Sequence, residues 1–207
     1  LAAALACSAA AQAAAPAPAA APLTPPMASF GPSQQAMPAL IQRYQLDHAS
    51  LAHLYTVRNG AARFDEFRRF YRDWLAALNT LPFDSYGVED RIDWVMLRNE
   101  IEFQLREQSD MQARFREAEV LVPFARPLID MAESRRLMNA QDGRAAATLL
   151  QQSLAAIQQA TERLKAGAGL NAAKPMASRS TANRAVNTLA LLSADLKSWY
   201  GYYEGYD

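Results

Sequence analysis

One cysteine, two histidines and eight glycines are all that 207 residues contain of those types, and each scarcity closes off a class of chemistry. The lone thiol, Cys7, excludes an internal disulfide framework and any structural zinc site built on thiolates. A helical zinc site of the metalloprotease kind needs two histidines four apart, so that one helix face carries both. His48 and His53 stand five apart, which turns one about 140° from the other around a helix axis at ~100° per residue. They cannot share a metal from one helix. No G-x-G-x-x-G loop exists to cradle phosphate, and Gly167-Ala168-Gly169 reads as a helix stop. There is no G-x-S-x-G elbow either; Ser153, Ser193 and Ser198 occupy ordinary positions in helical patterns. Formal net charge is zero, so the chain carries no electrostatic footprint for nucleic acid or for an anionic membrane surface. Alternation of period two, the mark of a strand, is missing throughout.

What is abundant is alanine and, early on, proline. Residues 1–13 are apolar and end in Ala11-Gln12-Ala13, an A-x-A pattern, so they read as the remnant of a secretory signal peptide. Such a stretch is shorter than the ~20 residues that a bilayer span requires. Cys7 follows small residues as a lipoprotein acceptor would, but Leu5 sits two positions before it, one residue too close for that motif. Export to the periplasm or medium is the expectation, with lipidation at Cys7 as the lesser alternative. Residues 14–37 hold six prolines, Pro16, Pro18, Pro22, Pro25, Pro26 and Pro32. Proline lacks a backbone donor and disfavours helix in the residue before it, which predicts a disordered Ala/Pro linker.

From Pro38 to Asp207 the chain is rich in good helix formers. Apolar spacing predicts six helices and an all-α array of mainly antiparallel neighbours. The first carries Ile41, Tyr44, His48, Leu51 and Tyr55 on one face and stops at Asn59-Gly60. The second carries Phe64, Phe67, Tyr71, Trp74, Leu75 and Leu78. In the third, Trp94, Leu97, Ile101 and Leu105 form a stripe that Ile92, Val95, Met96 and Phe103 widen. A face that broad predicts burial against two neighbouring helices. The fourth opens at Pro123 and Pro127 and runs to Met138; the fifth spans 145–165 with Asp142 as its N-cap. The sixth spans 180–200, with Val186, Leu189, Leu192, Leu196 and Trp199 in register. His48 is expected to be a hydrogen-bonded core histidine and His53 to be exposed.

Charges follow helical spacing. Asp65, Arg69 and Asp73 stand four apart, as do Arg98, Glu102 and Arg106, and such ladders add a few tenths of a kcal/mol per pair. Arg68-Arg69 and Arg135-Arg136 read as solvated faces. The aromatic end, Trp199, Tyr200, Tyr202, Tyr203 and Tyr206, is the candidate contact surface, since such rings offer large contact area with a polar handle. Packing against further sequence beyond Asp207 is the competing expectation.

The run Asp90-Arg91-Ile92-Asp93-Trp94-Val95-Met96-Leu97-Arg98-Asn99 resembles the N-terminal part of the bacterial domain of unknown function 885 family. So do Phe83-Asp84, the Trp74-Leu75-x-x-Leu78 helix and the closing Trp199-Tyr200-Gly201-Tyr202-Tyr203-Glu204-Gly205-Tyr206-Asp207. The resemblance implies an exported, largely helical protein several hundred residues longer. It also implies kinship with helical zinc metallopeptidases whose H-E-x-x-H-type motif lies in the C-terminal half, outside this sequence. Some relatives carry an X-Pro dipeptidyl-peptidase label, which implies peptide substrates. Zinc would belong to the longer parent alone, and the partner implied for this portion is the C-terminal part of the same polypeptide. No catalytic, cofactor-binding or metal-ligating role transfers to any residue here. This portion would form one wall of the parent's substrate cleft. The other reading is a self-sufficient periplasmic binding module that uses the aromatic end.

Overall fold

The computed structural model describes residues 23–31, 36–138, 142–167 and 177–204. Six α-helices and two short 3-10 turns make up the fold, and no strand occurs among the described residues. The helices are α1 (Ala36–Leu54), α2 (Ala61–Leu78), α3 (Val88–Glu119), α4 (Ala125–Ser134), α5 (Gly143–Gly167) and α6 (Arg179–Tyr203). The all-α array is therefore as the apolar spacing predicts.

Two cores share one long helix. The first gathers Leu40 and Tyr44 of α1, Phe67, Phe70, Tyr71 and Trp74 of α2, and Trp94, Leu97 and Ile101 of α3. The second gathers Phe115 and Ala118 of α3, Leu128 and Ile129 of α4, Ala160 of α5, and Leu192 and Trp199 of α6. At 1.5 Å per residue the 32 residues of α3 extend about 48 Å, enough to serve both. α2 lies along α3 with the most extensive pairing, α6 packs on both α3 and α4, and α5 packs chiefly on α4. Each fully buried large side chain contributes ~1.5–3 kcal/mol on leaving water, which is what holds helices that would be marginal alone.

Several boundaries differ from the spacing-based expectation. α1 starts before Pro38, which falls in the first turn, where backbone N–H groups have no intrahelical acceptor and proline costs nothing. It ends at Leu54, well short of Asn59-Gly60. α4 stops at Ser134, and residues 135–138 form a turn in which Met138 adopts φ 49°. Asp142 caps α5 as expected, its carboxylate accepting from the N–H groups of Arg144 and Ala145 at 2.9 and 3.2 Å. α6 begins at Arg179 behind a Ser178 cap that accepts from the Thr181 N–H at 3.1 Å.

The linker reading also needs correction. Residues 23–31 belong to the fold: Leu23, Met27 and Phe30 pack on the first core. The Leu23 N–H donates to Asp73 at 3.1 Å, and the Tyr86 hydroxyl donates to the Phe30 carbonyl at 2.6 Å. Met37, placed in the linker by its prolines, is fully buried in α1. Residues 1–22, with Cys7 and the stretch expected to be a signal remnant, lie outside the described residues.

The broad face of α3 is not all buried. Val88, Ile92, Val95, Met96 and Phe103 are between 41% and 63% exposed. α1 and α2 cover only the Trp94, Leu97 and Ile101 side. On α6 the buried side is Ala185, Thr188, Leu192 and Trp199, while Val186 and Leu189 face outward. Small residues on the inner side allow close approach of neighbouring helices. Of the charge ladders, Arg98–Glu102 forms at 2.9 Å. The other rearranges: Asp65 pairs with Arg68 at 3.2 Å and Glu66 with Arg69 at 2.7 Å, which leaves Asp73 to hold Leu23. Arg68 also donates to Gln112 at 2.7 Å, tying α2 to α3.

Candidate functional site

Polar side chains meet buried surface at several places among the described residues. One is a groove of about 480 Å³ between α1 and α3, within the ~300–1,000 Å³ usual for small-molecule sites. Ile41, Tyr44, Gln45 and His48 line it from α1; Met96, Leu97, Glu100 and Gln104 line it from α3.

Its floor is aromatic. Tyr44 stacks on Phe70 with ring centroids 5.5 Å apart and meets Trp74 edge-on at 5.3 Å. His48 meets Phe67 edge-on at 5.4 Å, and its Nε2 lies 3.0 Å from the Tyr71 hydroxyl. His48 is hydrogen-bonded as expected from the sequence, to a residue 23 positions away, but it is half-buried at the groove and not a core residue; His53 is exposed. Burial lowers the His48 pKa, and the Arg63 guanidinium lowers it further against the opposing pull of Glu100. Burial also pushes the Tyr71 phenol up to about 12, and it raises Tyr44. At neutral pH the groove thus presents a neutral imidazole and the intact Tyr44 phenol, with Tyr71 buried behind His48. No serine, threonine or cysteine is among its lining residues.

The second cluster lies where α4 and α6 meet the α1–α2 connection. Glu133 pairs with Arg136 through Oε2 at 3.1 Å, while its Oε1 is buried with no hydrogen-bond partner. Gly60 lies against that oxygen; a Cβ there would sit 2.5 Å away, so any larger residue would require the Glu133 carboxyl to shift. Burial first and the Glu133 carboxylate second, against the opposing Arg58 guanidinium, push the Asp195 pKa up to about 6. Asp195 shares a cavity of about 50 Å³ with Thr56, Ser198 and Trp199, whose indole Nε1 is buried and unpartnered. That space suits one or two water molecules at ~30 Å³ each, not a substrate. The carboxyl therefore has the pKa of a general acid without room to use it.

The aromatic end splits. Trp199 is buried in the second core. Its ring lies 5.2 Å from Tyr203, which in turn lies 4.9 Å from Tyr202, and Arg135 of the α4 turn sits 4.8 Å over the Tyr202 ring. Of the five candidate contact residues only Tyr200 is fully open, and Tyr206 lies outside the described residues. Trp199 thus packs within the second core of this chain.

Other predicted positions are quieter. Ser153 is buried and donates to the Leu149 carbonyl at 2.8 Å, as helix serines do. Arg135 donates to both the carbonyl and the hydroxyl of Ser198, and Arg136 sits 4.6 Å over the Tyr55 ring, so this basic pair joins elements instead of forming a solvated face. No group of three or more metal-ligating side chains occurs among the described residues, and none of their helices is long and apolar enough to cross a membrane. Glu100 and Asp195 were not singled out by spacing, because each owes its setting to a helix distant in sequence. Comparison with protein-family models, with curated proteins and with solved structures returns no match to this chain.

Proposed function

We propose that this chain is the N-terminal helical scaffold of a longer, exported, peptidase-like protein. In that reading the C-terminal part of the same polypeptide covers its outward apolar stripes and supplies zinc-dependent peptide hydrolysis. The observation that carries it is α5. Its buried residues are only Ser153 and Ala160, whereas Leu150, Leu154, Ile157 and Leu164 lie between 38% and 57% exposed on one side. An amphipathic helix normally turns such a stripe inward, and contiguous exposed apolar surface marks a docking face. The outward stripe of α3 supports the same reading, as do the sequence words that resemble the domain of unknown function 885 family.

The test is direct. The 207-residue chain should take up an apolar dye and self-associate in sedimentation, and should not cleave peptides. A longer version carrying the C-terminal half should do neither of the first two and should hydrolyse peptides in a zinc-dependent way. Peptide cleavage by the 207-residue chain alone would overturn the proposal.

A self-sufficient binding module is the second reading, favoured by the inward packing of Trp199. Its contact surface would then be the α1–α3 groove and not the aromatic end. A monodisperse, cooperatively unfolding monomer without dye uptake would decide for it.

A further inference from the structure

The α1–α3 groove has a chemical asymmetry that points to the class of its ligand. Glu100 is the one charged residue among those lining it. The carboxylate accepts one hydrogen bond, from Gln104 to Oε1 at 2.8 Å, and the side chain is otherwise open. Nearby groups are unspent: the Tyr44 hydroxyl, the Gln45 amide and the second ring nitrogen of His48, an acceptor in the tautomer whose Nε2–H donates to Tyr71, engage no hydrogen bond within the described structure. Ile41, Met96 and Leu97 give the groove an apolar wall, with Met96 63% exposed and unclaimed by either core.

We propose that this groove is a binding site for a hydrophobic primary amine, its ammonium against Glu100 and its apolar body along Ile41, Met96 and Leu97. An ammonium brings three donors and no acceptor, which matches a half-engaged carboxylate ringed by oxygen and nitrogen acceptors. A guanidinium would want both carboxylate oxygens side by side, and Gln104 already holds one. A divalent cation wants six or more oxygen ligands, whereas the lining offers one carboxylate. Anions meet like charge. The neutral imidazole of His48 does not repel a cation, and the face of Tyr44 attracts one. A free arylalkylamine and the amino terminus of a peptide with a hydrophobic first residue share this chemistry.

The experiment is a titration of the 207-residue chain followed by NMR. With two histidines in the sequence, the His48 ring protons report on the groove and those of exposed His53 serve as control. 2-Phenylethylammonium should shift His48 saturably and leave His53 unmoved. 2-Phenylethanol and 3-phenylpropionate should bind about 5-fold more weakly or not at all, the scale of one exposed ion pair. Glu100→Gln should bring the amine down to the alcohol's level, and Met96→Lys should abolish binding. Both side chains are exposed, so the fold survives either change, as circular dichroism would verify. A phenylalanyl dipeptide amide against its N-acetylated form identifies the source. Tighter binding of the free-terminus dipeptide names a peptide end, and tighter binding of phenylethylammonium names a small amine. Equal binding of alcohol and amine, an unchanged Glu100→Gln variant or a silent His48 would overturn the proposal.

Discussion

The indole Nε1 of Trp94 donates to the main-chain carbonyl of Leu78 at 3.1 Å, so the first turns of α3 are fastened to the last residue of α2. Phe83 lies edge-on to the same ring at 4.9 Å, and the Arg98 guanidinium sits 5.5 Å from it. Trp94→Asp would leave a carboxylate in this place, and a buried unpaired charge costs about 3–5 kcal/mol. Urea unfolding should read that loss; a loss below ~1 kcal/mol would mean that Trp94 does not face the core. Trp94→Phe keeps most of the packing and removes the donor, for about 1 kcal/mol.

The His48–Tyr71 pair gives a pH dependence of definite sign. Because burial lowers the His48 pKa in the fold, the unfolded chain takes up the proton first as pH falls below 6.5. Stability from this group is present above that value and is lost on acidification toward the folded pKa. The His48 imidazole should titrate below 6.5 by NMR, while His53 serves as internal reference. Tyr71→Phe removes the hydroxyl partner and should cost about 1 kcal/mol. A His48 midpoint at or above 6.5 would contradict the burial described.

Asp195 works in the opposite direction. With its folded pKa raised to about 6 from 3.8, the native state holds the proton between these values and the unfolded state does not. Its contribution is therefore most favourable below about pH 4 and declines as pH rises through 6. Asp195→Asn should stabilise the protein at pH 7.5 by roughly 1 kcal/mol, the shift being discounted because the group is partly open to solvent. The gain should vanish at pH 4. Measuring His48 in that background separates the two slopes.

Met138 carries φ 49° just after the α4 turn and is almost fully exposed. A side chain gains nothing there and pays for left-handed backbone, so Met138→Gly should stabilise by about 0.5–1 kcal/mol. Thermal unfolding would show it as a small rise in Tm. An unchanged or lower Tm would mean that the left-handed turn is not what the native chain adopts.

How much of this was legible in the sequence depends on the residue. Phe64, Phe67, Tyr71, Trp74 and Leu78 are all buried, because aromatic rings three and four apart leave α2 only one face to turn inward. On α3 the same periodicity found both Trp94 and Ile92 but could not say which flank has a neighbour, and only the former does. The α1–α3 groove was half visible. His48 stood out by its place in a stripe; Glu100 did not stand out, since its setting depends on α1 lying across from it. Asp195 was invisible for the same reason: Glu133 and Arg58, its neighbours in charge, come from other parts of the chain. Residues 23–31 were misread because proline composition reports a backbone preference and says nothing of Leu23, Met27 and Phe30 finding a core.

α3 is a beam held at both ends, clasped near Trp94 by α2 and near Phe115 by the α4–α6 side. Neither half of the protein owns it, so cutting the chain near Gln108 would strip a flank from each. The two cores should consequently melt in one step, with α5 alone, tethered chiefly through α4, free to exchange its amide protons early.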